Sequence, residues 1–160
     1  MNIVRGNLIA YAQAGKFDLI VHGCNCQHVM GAGIAVEIKK AFPEAYRADL
    51  NTPRGSRTKL GTISVANVTQ GVARPLIVVN GYTQFYYGDR HLEFDYDAIR
   101  SVFNIVKQRF SGMKIGYPLI GCGLGRGEWP KISAIIDEEM MGEDHCLVVL
   151  KNDKMFTELF

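Results

Sequence analysis

The chain has 160 residues, 48% of them hydrophobic and 21% charged, with a net charge of +2. This composition supports one core burying roughly 70% of the unfolded surface and excludes a disordered or fibrous chain. The scattered, mild charge does not imply a nucleic-acid partner, and no run reaches the roughly 18 apolar residues of a membrane helix.

Met1 to Gln13 has neither an apolar leader core nor a cleavage pattern, so one cytoplasmic domain spanning residues 1–160 is expected. Asn2 to Arg5 reads as a first strand. Polar and glycine residues then lead to Asp18–Cys24, whose continuous apolar character fits a strand covered on both faces. Ile34, Ile38 and Phe42 recur at helical spacing, and Pro43 ends that helix or starts another. Asn51 to Lys59 reads as a loop interrupted by Pro53, Gly55 and Ser56, and its basic residues Arg54, Arg57 and Lys59 read as a solvated cluster.

Leu60 to Val68 and Pro75 to Val79 read as two neighbouring strands joined through Thr69-Gln70-Gly71. Asp95 caps a helix whose apolar positions Ile99, Val102, Phe103, Val106 and Phe110 follow the helical period to Ser111-Gly112. Ile115 to Ile120 is a buried strand. Pro130 suits the first turn of a helix ending at Gly142, and Cys146 to Leu150 forms the last strand. Strands alternating with helices predict an α/β fold in three layers, with ligands outside the carboxyl ends of the strands.

Two glycine-bearing loops punctuate this pattern, each after a buried strand and before a helix: Met30-Gly31-Ala32-Gly33-Ile34-Ala35 and Gly121-Cys122-Gly123-Leu124-Gly125-Arg126-Gly127. Unpaired N–H groups at a helix start favour an anion, and glycines let a phosphate approach them. Together the loops suggest a diphosphate cradle. Neither is a dinucleotide fingerprint, because the first lacks its third glycine and the second carries Arg126 there.

Cys24, Cys26, Cys122 and Cys146 sit in or beside apolar runs, as free buried cysteines do. His22, Cys24, Cys26 and His28 alternate and would share one side of an extended segment, but structural zinc sites space paired ligands on turns. No metal and no cofactor are expected.

The ordered set Arg5-Gly6-Asn7-Leu8, His22-Gly23-Cys24-Asn25-Cys26, Met30 to Ala35, Pro118-Leu119-Ile120-Gly121-Cys122-Gly123-Leu124-Gly125 and Trp129 resembles the macro domains, which bind ADP-ribose and its derivatives. The likeness covers nearly the whole chain. It implies an α/β/α sandwich around a mixed central sheet, with ADP-ribose across a cleft at the strand ends. Carried over by motif, Asn7 and Leu8 belong to the adenine end and Asn25 to the distal ribose. Gly31, Ala32, Gly33 and Ile34 form the first phosphate loop; Gly121, Cys122, Gly123, Leu124, Gly125 and Arg126 form the second.

Within the family, the first two motifs look most like the phosphatases that act on ADP-ribose 1″-phosphate, where a histidine at the position of His22 is implicated in catalysis. An imidazole titrating near pH 6.5 suits that role. Asn25 would position the substrate, and His28 is the reserve acid or base. Departures are informative too. Most macro domains carry an aspartate at Asn7; the lysine and acidic loop residue of the glycohydrolase branch are missing from Asn80–Gln84 and Leu124–Arg126; and Met30 replaces the histidine of viral-type domains.

The aromatic segment Tyr82-Thr83-Gln84-Phe85-Tyr86-Tyr87, with Tyr82 as its site candidate, either walls the distal-ribose pocket or covers the edge of the core. Asp89, His91 and Glu93 read as solvated loop residues. The expected activity is hydrolysis of ADP-ribose 1″-phosphate to ADP-ribose and phosphate, with a non-catalytic ADP-ribose reader or an ADP-ribosyl glycohydrolase as alternatives. The expected partner is ADP-ribose or its 1″-phosphate, with no membrane, and with nucleic acid only as an ADP-ribosylated substrate.

Overall fold

The computed structural model describes residues 1–88, 95–122 and 127–154. Its elements are β1 (Asn2–Arg5), α1 (Leu8–Gln13), β2 (Leu19–Asn25), α2 (Ile34–Ala41), α3 (Pro43–Leu50), a 3-10 turn (Arg57–Lys59), β3 (Ile63–Val68), β4 (Leu76–Gln84), α4 (Tyr96–Phe110), β5 (Ile115–Tyr117), α5 (Trp129–Glu139) and β6 (His145–Val149). The sheet order is β1-β6-β5-β2-β4-β3. All neighbours pair in parallel except β3, which runs antiparallel to β4 at the edge.

Strand periodicity assigns the two faces. Leu19 and Val21 of β2 pack with Ile99, Val102 and Phe103 of α4 and Ile132 and Ile136 of α5. Ile20, pointing the other way, packs with Leu8 and Ala12 of α1, Ile38 of α2 and Ala45 of α3. Burying both faces explains the unbroken apolar character of β2 and gives the three-layer α/β/α architecture expected from the sequence. Among the described residues no helix is long and apolar enough to cross a membrane.

The structure departs from the expected elements in three places that bear on the site. Helix α1 was not expected, since six residues with two buried side chains, Leu8 and Ala12, show too little period; Asn7 Oδ1 caps it by accepting from Ala10 N at 3.0 Å. Strand β4 runs on to Gln84 instead of ending near Val79, because Gly81 leaves room for α4: a Cβ there would lie 2.7 Å from Val102 Cγ1. Strand β5 stops at Tyr117, where Pro118 removes the next N–H from the ladder.

Candidate functional site

A cleft of about 940 Å³ opens at the carboxyl ends of the central strands. Asn25 ends β2, Thr83 and Gln84 end β4, Pro118 to Cys122 follow β5, and Val148 and Val149 end β6. This is where ligands collect in α/β sheets, because the chain diverges there into loops on either side. Gly23 forms part of the floor. A Cβ at that position would lie 2.8 Å from Thr83 Oγ1 and 3.0 Å from Ile120 Cγ2, so the strand passes close beneath the cleft only as glycine.

Asn25 stands where β2 leaves the sheet, and its pairing with β4 shifts register between Cys24 and Asn25. The Asn25 side chain organises the loop that follows. Nδ2 donates to Val29 O at 2.7 Å, while Oδ1 accepts from Gln27 N at 2.9 Å. That bracing presents Met30 to Ile34 along the cleft wall. Gly33 caps α2 with φ +60° and ψ −143°, a conformation that side chains oppose, and a Cβ there would meet no protein atom within 4 Å. Among the described residues, the Gly31, Ala32 and Gly33 N–H groups donate to no backbone carbonyl.

No lysine, arginine or histidine is among the described residues lining the cleft, and Glu37 and Asp153 are its carboxylates. The described lining therefore offers an anion backbone N–H groups and the start of α2 in place of a basic side chain. Leu8, Ile9 and Leu150 line the cleft together with Asn7. Asn7 keeps one carbonyl lone pair beyond its capping bond, so it retains an acceptor for an amino group.

His22 does not line the cleft. It is fully buried, on the side of β2 that faces α1 to α3, and its Nε2 lies 2.6 Å from Asn80 Oδ1. Asn80 Nδ2 donates to Ala45 O at 2.9 Å and to Ser64 Oγ at 3.0 Å, which makes Oδ1 the acceptor and assigns the His22 proton to Nε2. The network continues through Ser64 Oγ to the Tyr82 hydroxyl at 2.7 Å, which donates to Asp49 Oδ1 at 2.8 Å. Lys59 Nζ closes it, 3.5 Å from the same carboxylate oxygen and 4.3 Å from the Tyr82 ring centroid. Burial pushes the His22 pKa down from 6.5 to about 4, outweighing the Asn80 bond and the Asp49 charge. The sequence expectation puts a reacting imidazole at the cleft, whereas here the His22 ring is enclosed beneath Asn80 and is not among the lining residues.

Tyr82 is likewise drawn into this network, covering the core with Cys24, Cys26 and Met30, so of the two readings of the aromatic segment this residue takes the core one. Tyr82 points into the core, whereas Thr83 and Gln84 at the end of β4 and Tyr87 and Gly88 beyond it line the cleft. His28, at φ +61°, engages the Thr52 carbonyl through Nε2 at 2.7 Å and is not among the lining residues. Asn7, Leu8, Asn25, Gly31, Ala32, Gly33, Ile34, Gly121 and Cys122 are brought together around the cleft. Gly123, Leu124, Gly125 and Arg126, together with Asp89, His91 and Glu93, lie outside the described residues. Thr83, Gln84 and Tyr87 of the segment read as a candidate pocket wall do line the cleft, whereas sequence reasoning missed Glu37 and Asp153, single acidic residues with no local pattern to mark them.

Burial also raises the thiols of Cys24 and Cys122, the latter to about 11, so the cleft's cysteines are protonated at neutral pH. Among the described residues no group of three His, Cys, Asp or Glu side chains is placed to hold a metal ion.

The Macro domain family model matches residues 21–136. An uncharacterized 17.5 kDa protein from the tk-vs intergenic region of Enterobacteria phage T4 is 36% identical over 139 residues, covering 84% of this chain and 86% of that protein. A DNA ADP-ribosyl glycohydrolase of Thermus aquaticus is 27% identical over 143 residues, 88% of this chain, which spans 38% of that relative's length. An ADP-ribose 1″-phosphate phosphatase of Meyerozyma guilliermondii is 34% identical, but over 47 residues, 29% of this chain and 26% of that protein. The solved macrodomain of Thermus aquaticus DarG superposes with a TM-score of 0.66 at 23% identity, over 94% of this chain and 97% of that one, a likeness of fold.

Proposed function

The chain belongs to the macro domain family, and from that premise we propose that its cleft binds ADP-ribose and that the protein hydrolyses the bond joining C1″ of the distal ribose to an attached group. The observation that carries this reading is the Met30 to Ile34 wall. A cleft without a described basic side chain offers a diphosphate the glycine N–H groups and the positive end of α2. The adenine then lies toward Asn7, Leu8 and Leu150, and the distal ribose against Asn25.

Among the described residues that line the cleft with Asn25 there is no histidine or lysine, and His22 is buried outside that lining. The chemistry that fits is attack by a water positioned by the substrate's own phosphate: the water oxygen bonds to C1″ as the bond to the leaving group breaks. One proton passes to a phosphate oxygen and from there to the leaving group. Held geometry supplies most of the rate in such a site.

The leading reading for the attached group is a macromolecule, supported by the match to the Thermus aquaticus glycohydrolase across 88% of this chain. Phosphate, the group expected from the sequence, is the second reading, favoured by the run His22-Gly23-Cys24-Asn25-Cys26. One experiment tests both. The protein is incubated with ADP-ribose 1″-phosphate and, separately, with an ADP-ribosylated oligonucleotide, and phosphate and ADP-ribose release are followed. Release only from the oligonucleotide supports the leading reading and release only of phosphate the second. Tight ADP-ribose binding with release from neither makes the domain a reader.

A further inference from the structure

Thr83 stands apart from the other buried polar side chains. His22, Asn25, Asp49, Lys59, Asn80 and His145 each find a hydrogen-bonding partner within the protein. Thr83 is only 2% exposed and lines the cleft, yet its hydroxyl makes no hydrogen bond to any described residue. Fully enclosed side-chain oxygens and nitrogens among the described residues all have partners, so the open hydroxyl is the part of Thr83 that the cleft reaches. A polar group buried without a partner costs free energy that valine, of the same shape and equally suited to a strand, would not incur. The hydroxyl is therefore placed for something that enters the cleft.

The sheet itself aims it there. Cys24 pairs with Tyr82 and Asn25 with Gln84, so Thr83 is an extra residue on β4, and a bulge of this kind redirects a side chain. Thr83 O accepts from the N–H of Asp95, the cap of α4, at 3.0 Å, which fastens the bulge. Thr83 Oγ1 reaches over Gly23, at the floor between β2 and Ile120 and close along the chain to Asn25.

We propose that the Thr83 hydroxyl holds the oxygen carried at C1″: the attacking water before the bond breaks, and the 1″-hydroxyl of ADP-ribose afterwards. This rests on the ADP-ribose reading of the cleft. The water donates one O–H to a phosphate oxygen and the other to Thr83 Oγ1, which leaves a lone pair directed at C1″. As that oxygen bonds to C1″ and the bond to the leaving group breaks, the first proton passes to the phosphate oxygen and on to the leaving group. The second proton stays on the new 1″-hydroxyl, which keeps its bond to Oγ1. Threonine suits the task because its hydroxyl accepts as well as donates and carries no charge to repel a diphosphate.

Calorimetry on the intact chain with ADP-ribose, and with ADP, which lacks the distal ribose, tests the assignment without requiring turnover. Thr83→Val keeps the shape and removes the hydroxyl. It should weaken ADP-ribose about fivefold, the usual scale of one lost hydrogen bond, and leave ADP unchanged, which also reports an intact fold. Thr83→Ala should show the same loss, and Thr83→Ser should return ADP-ribose to within about twofold of the parent. In turnover, Thr83→Val should lower kcat at least about tenfold with a smaller change in KM, since the water loses one of its two anchors. Equal ADP-ribose affinity in the parent and Thr83→Val overturns the proposal, as does an equal loss for ADP and ADP-ribose, or an unaltered kcat in a protein that turns over. A parent that binds ADP-ribose no better than ADP overturns the reading of the distal-ribose end, and the proposal with it.

Discussion

Protonation of His22 should be visible in stability rather than in chemistry. Its ring is fully buried between β2 and the α1–α3 layer, and burial holds its pKa near 4 against 6.5 in the open chain, despite the Asn80 bond and the Asp49 charge. Below pH 6.5 the unfolded chain takes a proton that the folded chain refuses, so the stabilisation is complete above that pH and is lost as pH falls toward 4. The slope is about 1.4 kcal/mol per pH unit, and the whole loss is about 3 kcal/mol, a sizeable share of a stability of about 5–15 kcal/mol. Urea unfolding followed by the single tryptophan, Trp129, at about pH 7 and about pH 4.5 measures it directly. His22→Gln, which keeps a donor for Asn80 but takes up no proton, should lose about 2–3 kcal/mol less over that interval than the parent. In the parent, the His22 ring resonances should stay neutral down to about pH 5. A ring titrating near pH 6.5, or identical pH dependence in parent and variant, would refute the burial argument.

Three further outcomes follow from the same geometry. Gly33→Val places a branched side chain at φ +60° in the open space of the cradle, so it should abolish detectable ADP-ribose binding by calorimetry while costing about 1–3 kcal/mol of stability from backbone strain; retained binding would remove this loop from the site. Asn25→Ala should weaken ADP-ribose at least about tenfold and raise exchange of the Gln27 and Val29 amides, since one side chain both lines the cleft and braces the loop; unchanged amide exchange would contradict the bracing. Lys59→Met leaves the Asp49 carboxylate buried with only the Tyr82 hydroxyl, and should cost about 3–5 kcal/mol in urea unfolding, most of it recovered when Asp49→Leu is added; no recovery would mean that the lysine's packing matters more than its charge.

The sequence by itself determined the layer order, the two glycine loops and the family resemblance, because each rests on local rules. Continuous apolar strands, helical periods such as Ile99 to Phe110, and glycine between a strand and a helix need no knowledge of distant residues. What only the tertiary structure decided was which way each side chain of a recognised motif points. His22 and Asn25 sit three residues apart in one motif, yet the first is sealed beneath Asn80 and the second faces the cleft, since a strand alternates its faces and a register shift after Cys24 turns the chain. Tyr82 and Tyr87 likewise share one aromatic run but end in the core and at the cleft, because α4 packs closely enough over Gly81 to carry β4 on to Gln84. The basic cluster divides for the same kind of reason. Asp49 arrives from α3 to bury Lys59, and Phe85 arrives from the end of β4 to stack Arg57 beside the cleft, contacts whose partners are 10 and 28 residues away along the chain and which no local pattern encodes.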